Sequence, residues 1–222
     1  MGQGLFPEPG VTFMPAFIIG STGVLADTDD HHRRALDAAL SEAGHGWRWS
    51  APVPAGRGAI KEAAAARGAR LDAGAIRARA SELFREALAP GIAPRPGVID
   101  ALDEMRRGGR SLALVSTASR ADIDATIEAA GIDAGAFDAI LDGGEDGGAA
   151  PGPARFAEAL GRLEAEAGDA LAVSDSPEGV AAARAAGIDC MAFPGAGHAA
   201  QDFDRETVVL DRLAPAPATR SD

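Results

Sequence analysis

Apolar residues in this chain come in short bursts separated by longer stretches of mixed polarity. Ala16–Gly20 is the first burst, and the glycine and serine that end it predict a buried strand. Asp27, Thr28, Asp29 and Asp30 then supply caps and acidic first-turn residues for a helix from His31 to Ala43, stopped by Gly44. Pro52, Pro54, Gly56 and Gly58 break residues 46–58 into loop. Residues 59–67 and 73–89 read as helices, and Pro90 to Pro96, with three prolines and a glycine, reads as a linker.

From there strand and helix alternate. The pattern predicts a helix over Gly97–Gly108, a strand over Ser111–Ser116 and a helix over Arg120–Ala130 stopped by Gly131. A short strand follows at Ala139–Leu141, then a glycine-rich loop over Gly143–Gly152 and a helix over Pro153–Ala167. The strand Ala170–Ser174, the helix Pro177–Ala186 stopped by Gly187, and the strand Asp189–Phe193 complete the series. Thr207–Leu210 is a candidate final edge strand.

Short apolar strands separated by helices imply parallel βαβ units with right-handed crossovers, an α/β fold with a Rossmann-like parallel sheet. Such sheets bind ligands at the carboxyl ends of their strands. The positions that follow from this are 20–23, 116–119, 142–150 and 174–176. The helical block 29–91 separates the first strand from the rest and predicts an inserted helical cap domain. The expected organisation is a flexible arm over 1–14, a core made of 15–26 and 96–214, a cap over 27–95, and a disordered tail over 215–222.

Composition narrows the function classes. With 222 residues and 46% hydrophobic content, the chain can bury a sizeable core. A net charge of −12 argues against a nucleic-acid partner. Cys190, the single cysteine, excludes a disulfide framework, fits a reducing compartment and is expected to be a packed core thiol. No window of 18 continuous apolar residues predicts a membrane span. The N-terminus lacks the basic and apolar regions of a secretory signal, and Phe6 breaks the myristoylation pattern opened by Gly2. The expectation is a cytoplasmic protein with no membrane partner. Lys61 is the only lysine beside many arginines, alanines and glycines, which points to a GC-rich bacterial genome.

Residues 16–28 read Ala-Phe-Ile-Ile-Gly-Ser-Thr-Gly-Val-Leu-Ala-Asp-Thr. This resembles the opening motif of the haloacid dehalogenase-like (HAD) phosphatases, an apolar strand followed by Asp-x-Asp-Gly-(Thr/Val)-Leu-x-Asp-(Thr/Ser). In that resemblance Gly20 stands at the nucleophilic Asp and Thr22 at the acid/base Asp, while Gly23, Leu25, Asp27 and Thr28 keep the frame. Asp27, as part of that frame, is read as a helix cap. The second motif matches Leu112–Thr117, with Ser116 as the implied phosphate-oxygen donor and Thr117 beside it. Ser116 reads equally as a turn or cap residue.

The third motif matches Ala150 to Phe156, keeping Pro151, Pro153 and Phe156, with Ala150 in place of the family lysine. Arg155, close by on a helix, reads as a solvated surface residue that points elsewhere. The fourth matches Leu171–Val180 and continues through Gly187, with Ser174 in place of the first of two acids and Asp175 retained. Asp175 is a magnesium ligand in the resemblance, and a structural acceptor beside the helix start on the residues alone; the second reading is favoured because its partner acids are gone. Asp27–Ala35 is similar to the first cap helix of β-phosphoglucomutase-like members. Gly46–Trp49 and Gly56–Gly58 resemble the CbbY branch, whose members act on sugar bisphosphates. The resemblance implies His32 and Arg57 as cap contacts to substrate; the alternative for each is surface or helix packing. Trp47 and Trp49 are expected to pack in the cap core.

Two other signals carry no weight. Gly195–Ala200 matches a dinucleotide fingerprint, but Pro194 intervenes and too little chain follows. Gly143–Gly148 lacks the Lys-Ser/Thr of a P-loop and reads as a mobile loop.

In this family the first Asp attacks phosphorus, the second moves the proton, and magnesium offsets transition-state charge. Glycine offers no nucleophile, and threonine is no base near neutral pH. The resemblance therefore implies a catalytically impaired homologue with a binding or regulatory role, taking a small phosphorylated metabolite or a protein partner. No cofactor is expected, and Mg2+ only if the family site is partly retained at Asp175. The alternatives are an active hydrolase of a sugar phosphate working through Asp27, Asp175 or His32, and an oligomeric scaffold.

Overall fold

The structure, a computed structural model, describes residues 16–49, 57–143, 151–195 and 200–213. The arm at 1–14, the tail at 215–222, position 150 and most of the glycine-rich loop lie outside the described residues.

Five parallel strands form one sheet in the order β3-β2-β1-β4-β5, with β1 at Ala16–Ile19, β2 at Ser111–Val115, β3 at Ala139–Leu141, β4 at Ala170–Ser174 and β5 at Asp189–Ala192. β1 is central. Ile19 pairs with Leu114 on one side and Val173 on the other, so the loops after β1, β2 and β4 emerge side by side. The central strands are buried on both faces, which is why they read as continuous apolar runs. Phe17 and Ile19 pack on one layer with Val98, Leu102, Met105, Ile123 and Ile127. Ile18 packs on the other with Phe156, Leu160, Val180 and Ala183. Cys190 belongs to that second layer, and burial pushes its thiol up to about 12, so it is an inert core thiol.

Helices α1 (Asp29–Glu42), α2 (Arg57–Ala66) and α3 (Ala73–Leu88) lie between β1 and β2 in sequence. Leu36, Ala39, Leu40, Ile60, Ala73 and Ile76 form their shared core, and Trp47 and Trp49 pack against it, as expected of them. Asp72 caps α3 by accepting from Gly74 and Ala75. The chain leaves and re-enters the sheet layer at one place. Ala26 and Pro94 form an antiparallel bridge, and the Arg95 N–H donates to the Leu25 carbonyl at 2.9 Å.

Core helices α4 (Val98–Arg107), α5 (Arg120–Ala129), α6 (Pro153–Arg162) and α7 (Pro177–Ala185) cover the sheet. Gly97 precedes α4 at φ +81°, and a Cβ there would stand 1.7 Å from the Leu213 carbonyl oxygen. Only glycine combines that backbone with that approach.

Three expectations need correction. The helix predicted over 153–167 ends at Arg162, because Glu164 adopts φ 52° and the Ala165 N–H turns back to the Leu160 carbonyl. Arg57 and Gly58, read as loop, open α2. Thr207–Leu210 makes one parallel bridge, Ala192 to Val209, instead of a strand. The Ala192 N–H donates to Val208 and its carbonyl accepts from Leu210, and the ladder goes no further.

Candidate functional site

The ends of β1 and β4 meet at Gly20. Its N–H donates to the Val173 carbonyl at 2.8 Å, and a Cβ on it would stand 3.1 Å from both Ser174 Cβ and Val173 O. Ser21 follows and caps a single 3-10 turn over Thr22–Val24, accepting from the Val24 N–H at 3.3 Å. Thr22 is buried in that turn, and its carbonyl accepts from Leu25 and Ala26. On β4, Ser174 is fully buried, and Gly179 makes room for it, since a Cβ there would lie 2.1 Å from Ser174 Oγ. Ser176 caps α7 by accepting from the Gly179 N–H at 3.2 Å, with Pro177 at the first helical position.

Asp175 lies between these caps. Its carboxylate is pressed against Gly23, where a Cβ would meet Oδ2 at 1.9 Å, so a side chain at position 23 would require the Asp175 carboxylate to move. Burial pushes the Asp175 carboxyl above the usual range and the nearby Asp29 adds to this, whereas the Ser21 hydrogen bond and Arg95 oppose it. Arg95 faces the same cluster. It donates to the carbonyls of Gly23 (3.0 Å), Phe193 (2.9 Å) and Pro194 (2.5 Å), and its guanidinium lies 3.5 Å over the Phe193 ring. Burial lowers its pKa while Asp175, Asp27 and Asp29 raise it. A guanidinium stays charged through such a shift, so this end of the sheet carries one cation among three carboxylates.

Ser116 is buried after β2. Its N–H donates to Leu141 O at 2.9 Å and its Oγ accepts from the Ala118 N–H at 3.1 Å. Thr117 is half-buried, and a Cβ at Gly143 would stand 2.1 Å from its carbonyl oxygen. Ser119 caps α5 by accepting from the Asp122 N–H at 3.2 Å. The strand-end loops thus bring Gly20, Thr22, Ser116, Thr117, Ser174 and Asp175 to the carboxyl edge of one sheet.

The cap positions behave differently. His32 stacks on Phe84 with ring centroids 3.7 Å apart, and burial pushes its pKa down to about 4. The ring is neutral at pH 7, so it packs as an aromatic and offers a phosphate no positive charge. Arg57 opens α2, and its side chain lies outside the described residues, as does Ala150. Arg155 reaches back to the Asp142 carbonyl at the end of β3 and pairs with Glu158 at 3.0 Å. It is half-buried against the strand end and does not point away into solvent. Asp27 is exposed and does not cap α1; Thr28 holds the N-cap position.

A divalent cation at these strand ends needs several oxygen ligands. Among the described residues, no group of three or more His, Cys, Asp or Glu is placed to hold a metal ion. The Asp175 carboxylate accepts a hydrogen bond from Ser21 and packs on Gly23. No helix among the described residues is long and apolar enough to cross a membrane.

Sequence reading missed Arg95 and Asp29. Asp29 looked like a first-turn acid and nothing more. Arg95 lay within a proline-rich linker, and its only signal was a charged residue held between two prolines.

A family profile described as haloacid dehalogenase-like hydrolase matches residues 14–187. The chain belongs to the haloacid dehalogenase-like hydrolase family. It is 34% identical to the plasmid protein CbbY of Cupriavidus necator over 218 residues, 90% of this chain and 86% of that one. A crystal structure of mutant CbbY from Rhodobacter sphaeroides in complex with xylulose-(1,5)bisphosphate superposes with a TM-score of 0.81 at 29% identity, covering 90% and 95% of the two chains. β-Phosphoglucomutase from Clostridium difficile shares the fold, with a TM-score of 0.75 at 16% identity over 90% and 92% of the chains. Within the family, the likeness at 34% identity over 90% of the chain is to CbbY.

Proposed function

We propose that this chain is a CbbY-type phosphatase homologue with its phosphoryl-transfer chemistry impaired and a binding or regulatory role retained. The observation that carries the reading is Gly20. It stands at the end of the central strand, where the family motif has its nucleophile, and it offers a hydrogen atom in place of a carboxylate. Thr22, two residues on, is buried in a 3-10 turn and has no useful proton affinity. Ser174 replaces an acid beside it. Losing a nucleophile alone costs on the order of 10⁶ in turnover, and losses within one catalytic unit do not multiply.

An anion could still be held at these strand ends. Backbone N–H groups near Ser21–Gly23 and the start of α5, with the Ser116 hydroxyl, can cradle an oxyanion. Magnesium, if it binds at all, would meet Asp175 as its one matched carboxylate, so we propose no resident metal. Protein partners remain part of the proposal, with the cap as the variable element.

The test is an assay of the purified protein against a panel of sugar phosphates with Mg2+. The expected result is no turnover at enzymatic rates. Back-substitution of Gly20→Asp with Thr22→Asp, Ala150→Lys and Ser174→Glu is expected to raise hydrolysis above that baseline. Ordinary turnover by the unmodified chain overturns the reading; its loss in Asp27→Asn or His32→Phe would then identify non-standard catalytic groups.

A further inference from the structure

The chain's charge is not spread evenly. Residues 27–95 contain eleven of the 21 basic residues and nine of the 33 acidic ones, a net of +2, which leaves −14 for the remainder. Anion attraction therefore resides in the cap. Within it, a cleft of about 500 Å3 opens between one flank of α1 and the segment that follows it. This volume lies within the range of small-molecule sites.

The cleft is built from both sides. Asp30 pairs with Arg33 and with Arg34 (2.6 Å), which holds both guanidinium groups along the α1 wall. Asp37 accepts the Trp49 N–H at 2.6 Å, and this bond folds segment 45–49 back beside α1 as the opposite wall. Trp47 supplies the apolar part of that wall, and Arg67 stacks on its ring at 4.6 Å. Arg48 lines the cleft, is exposed, and has no ion pair among the described residues. The lining holds Arg33, Arg34 and Arg48 against Asp37 alone, so the cleft is net positive. The Trp47 indole N–H is buried with no acceptor among the described residues, a donor in the same wall.

We propose that this cleft is a binding site for a small organic oxyanion, a phosphate ester or a carboxylate. Arg48 is the anchoring charge, Arg34 the second, and Trp47 the surface for the carbon skeleton. None of its lining residues comes from the strand ends, so the site stands whether or not the core has lost its chemistry.

The chain reports on this cleft by itself. Trp47 and Trp49 are its only tryptophans and it has no tyrosine, so intrinsic emission comes from one wall of the cleft. The full chain is titrated at low ionic strength with ribose 5-phosphate, inorganic phosphate and citrate. The expected result is a saturable emission change in the millimolar range or tighter with at least one of them, which names the source of the oxyanion. Arg48→Ala weakens it about tenfold, as loss of a charge-assisted hydrogen bond should. Arg34→Ala weakens it too, and Arg48→Lys partly restores it. Both arginines are exposed, so these variants fold. Ser116→Ala leaves the titration unchanged. Absence of a saturable change with all three anions, an Arg48→Ala curve equal to the parent's, or an equal loss in Ser116→Ala overturns the proposal.

Discussion

Arg85 of α3 donates to Asp122 of α5 across 2.8 Å, and Ser81, one turn earlier, donates to the same carboxylate oxygen at 2.5 Å. This is the polar half of the contact between the α1–α3 block and α5. Its apolar half is Ala35, Phe84 and Leu88 packed with Ile92 and Ala129. The Ile92 N–H also donates to the Ala129 carbonyl at 2.9 Å, so α5 is gripped near both ends. The Asp122 side chain is nearly inaccessible while Arg85 is about one-third exposed. Asp122→Ala is expected to cost about 2 kcal/mol, below the figure for a fully buried pair because Arg85 can turn to water. Asp122→Asn, which keeps an acceptor, loses less. Urea unfolding followed by tryptophan emission reads the cap directly and checks both.

His32 predicts an acid-side loss of stability. Its folded pKa, about 4, lies below the ordinary 6.5, so the unfolded chain binds more protons between those values. Stability from this group is present above pH 6.5 and drains as pH falls toward 4, by roughly 3 kcal/mol. His32→Phe keeps the stack on Phe84 and is expected to flatten that part of the profile. Urea midpoints at pH 4.5 and 7 measure the difference.

Asp175 acts in the opposite direction. Its carboxyl is raised, so the folded chain holds the proton longer than the unfolded one. Stability from this group falls as pH rises from the ordinary carboxylate range through the raised value. Asp175→Asn keeps an acceptor for Ser21 and removes the fall. The expected outcome is a gain over the parent chain at pH 8 that vanishes at pH 3.5, read by thermal melts.

Restoring a side chain at position 20 meets a crowded strand end. Gly20→Asp brings a Cβ to 3.1 Å from Ser174 Cβ and Val173 O, so the neighbours must yield by a few tenths of an ångström. A loss of about 1–2 kcal/mol is expected, in the range of mild overpacking. Ser174→Gly removes one of the two obstructions, so Gly20→Asp should cost less in that background. A double-mutant cycle in urea measures the coupling; strict additivity would show that Ser174 is not the obstruction.

Much of this architecture was legible because local chemistry and tertiary demand agree. Gly44, Gly131 and Gly187 all adopt left-handed backbone just past their helices, which is why glycine read correctly as a stop at each. Ala16–Ile19 and Ala170–Ser174 read as buried strands because both faces of the sheet are covered. The failures have equally local causes. Nothing apolar separates 153–162 from 163–167, and the break depends on Glu164 taking a left-handed conformation that glutamate rarely signals. At the strand ends, sequence placed Ser116, Ser174 and Asp175 on one edge. It could not foresee Arg95, whose role comes from carbonyls of Phe193 and Pro194 almost a hundred residues away. Nor could it show that His32 faces Phe84, because a stacking partner fifty-two positions downstream leaves no local trace.

The bridge between Ala26 and Pro94 means that sixty-seven intervening residues hang from the sheet layer by two adjacent threads. Their ends are already held together, so excising that whole block and joining 26 to 94 through a tight turn leaves little loop-closure entropy to overcome. The doubly covered sheet should then fold without its helical appendage, and a foreign appendage should graft at the same seam. Such interchangeability lets recognition diverge while the supporting layers stay fixed.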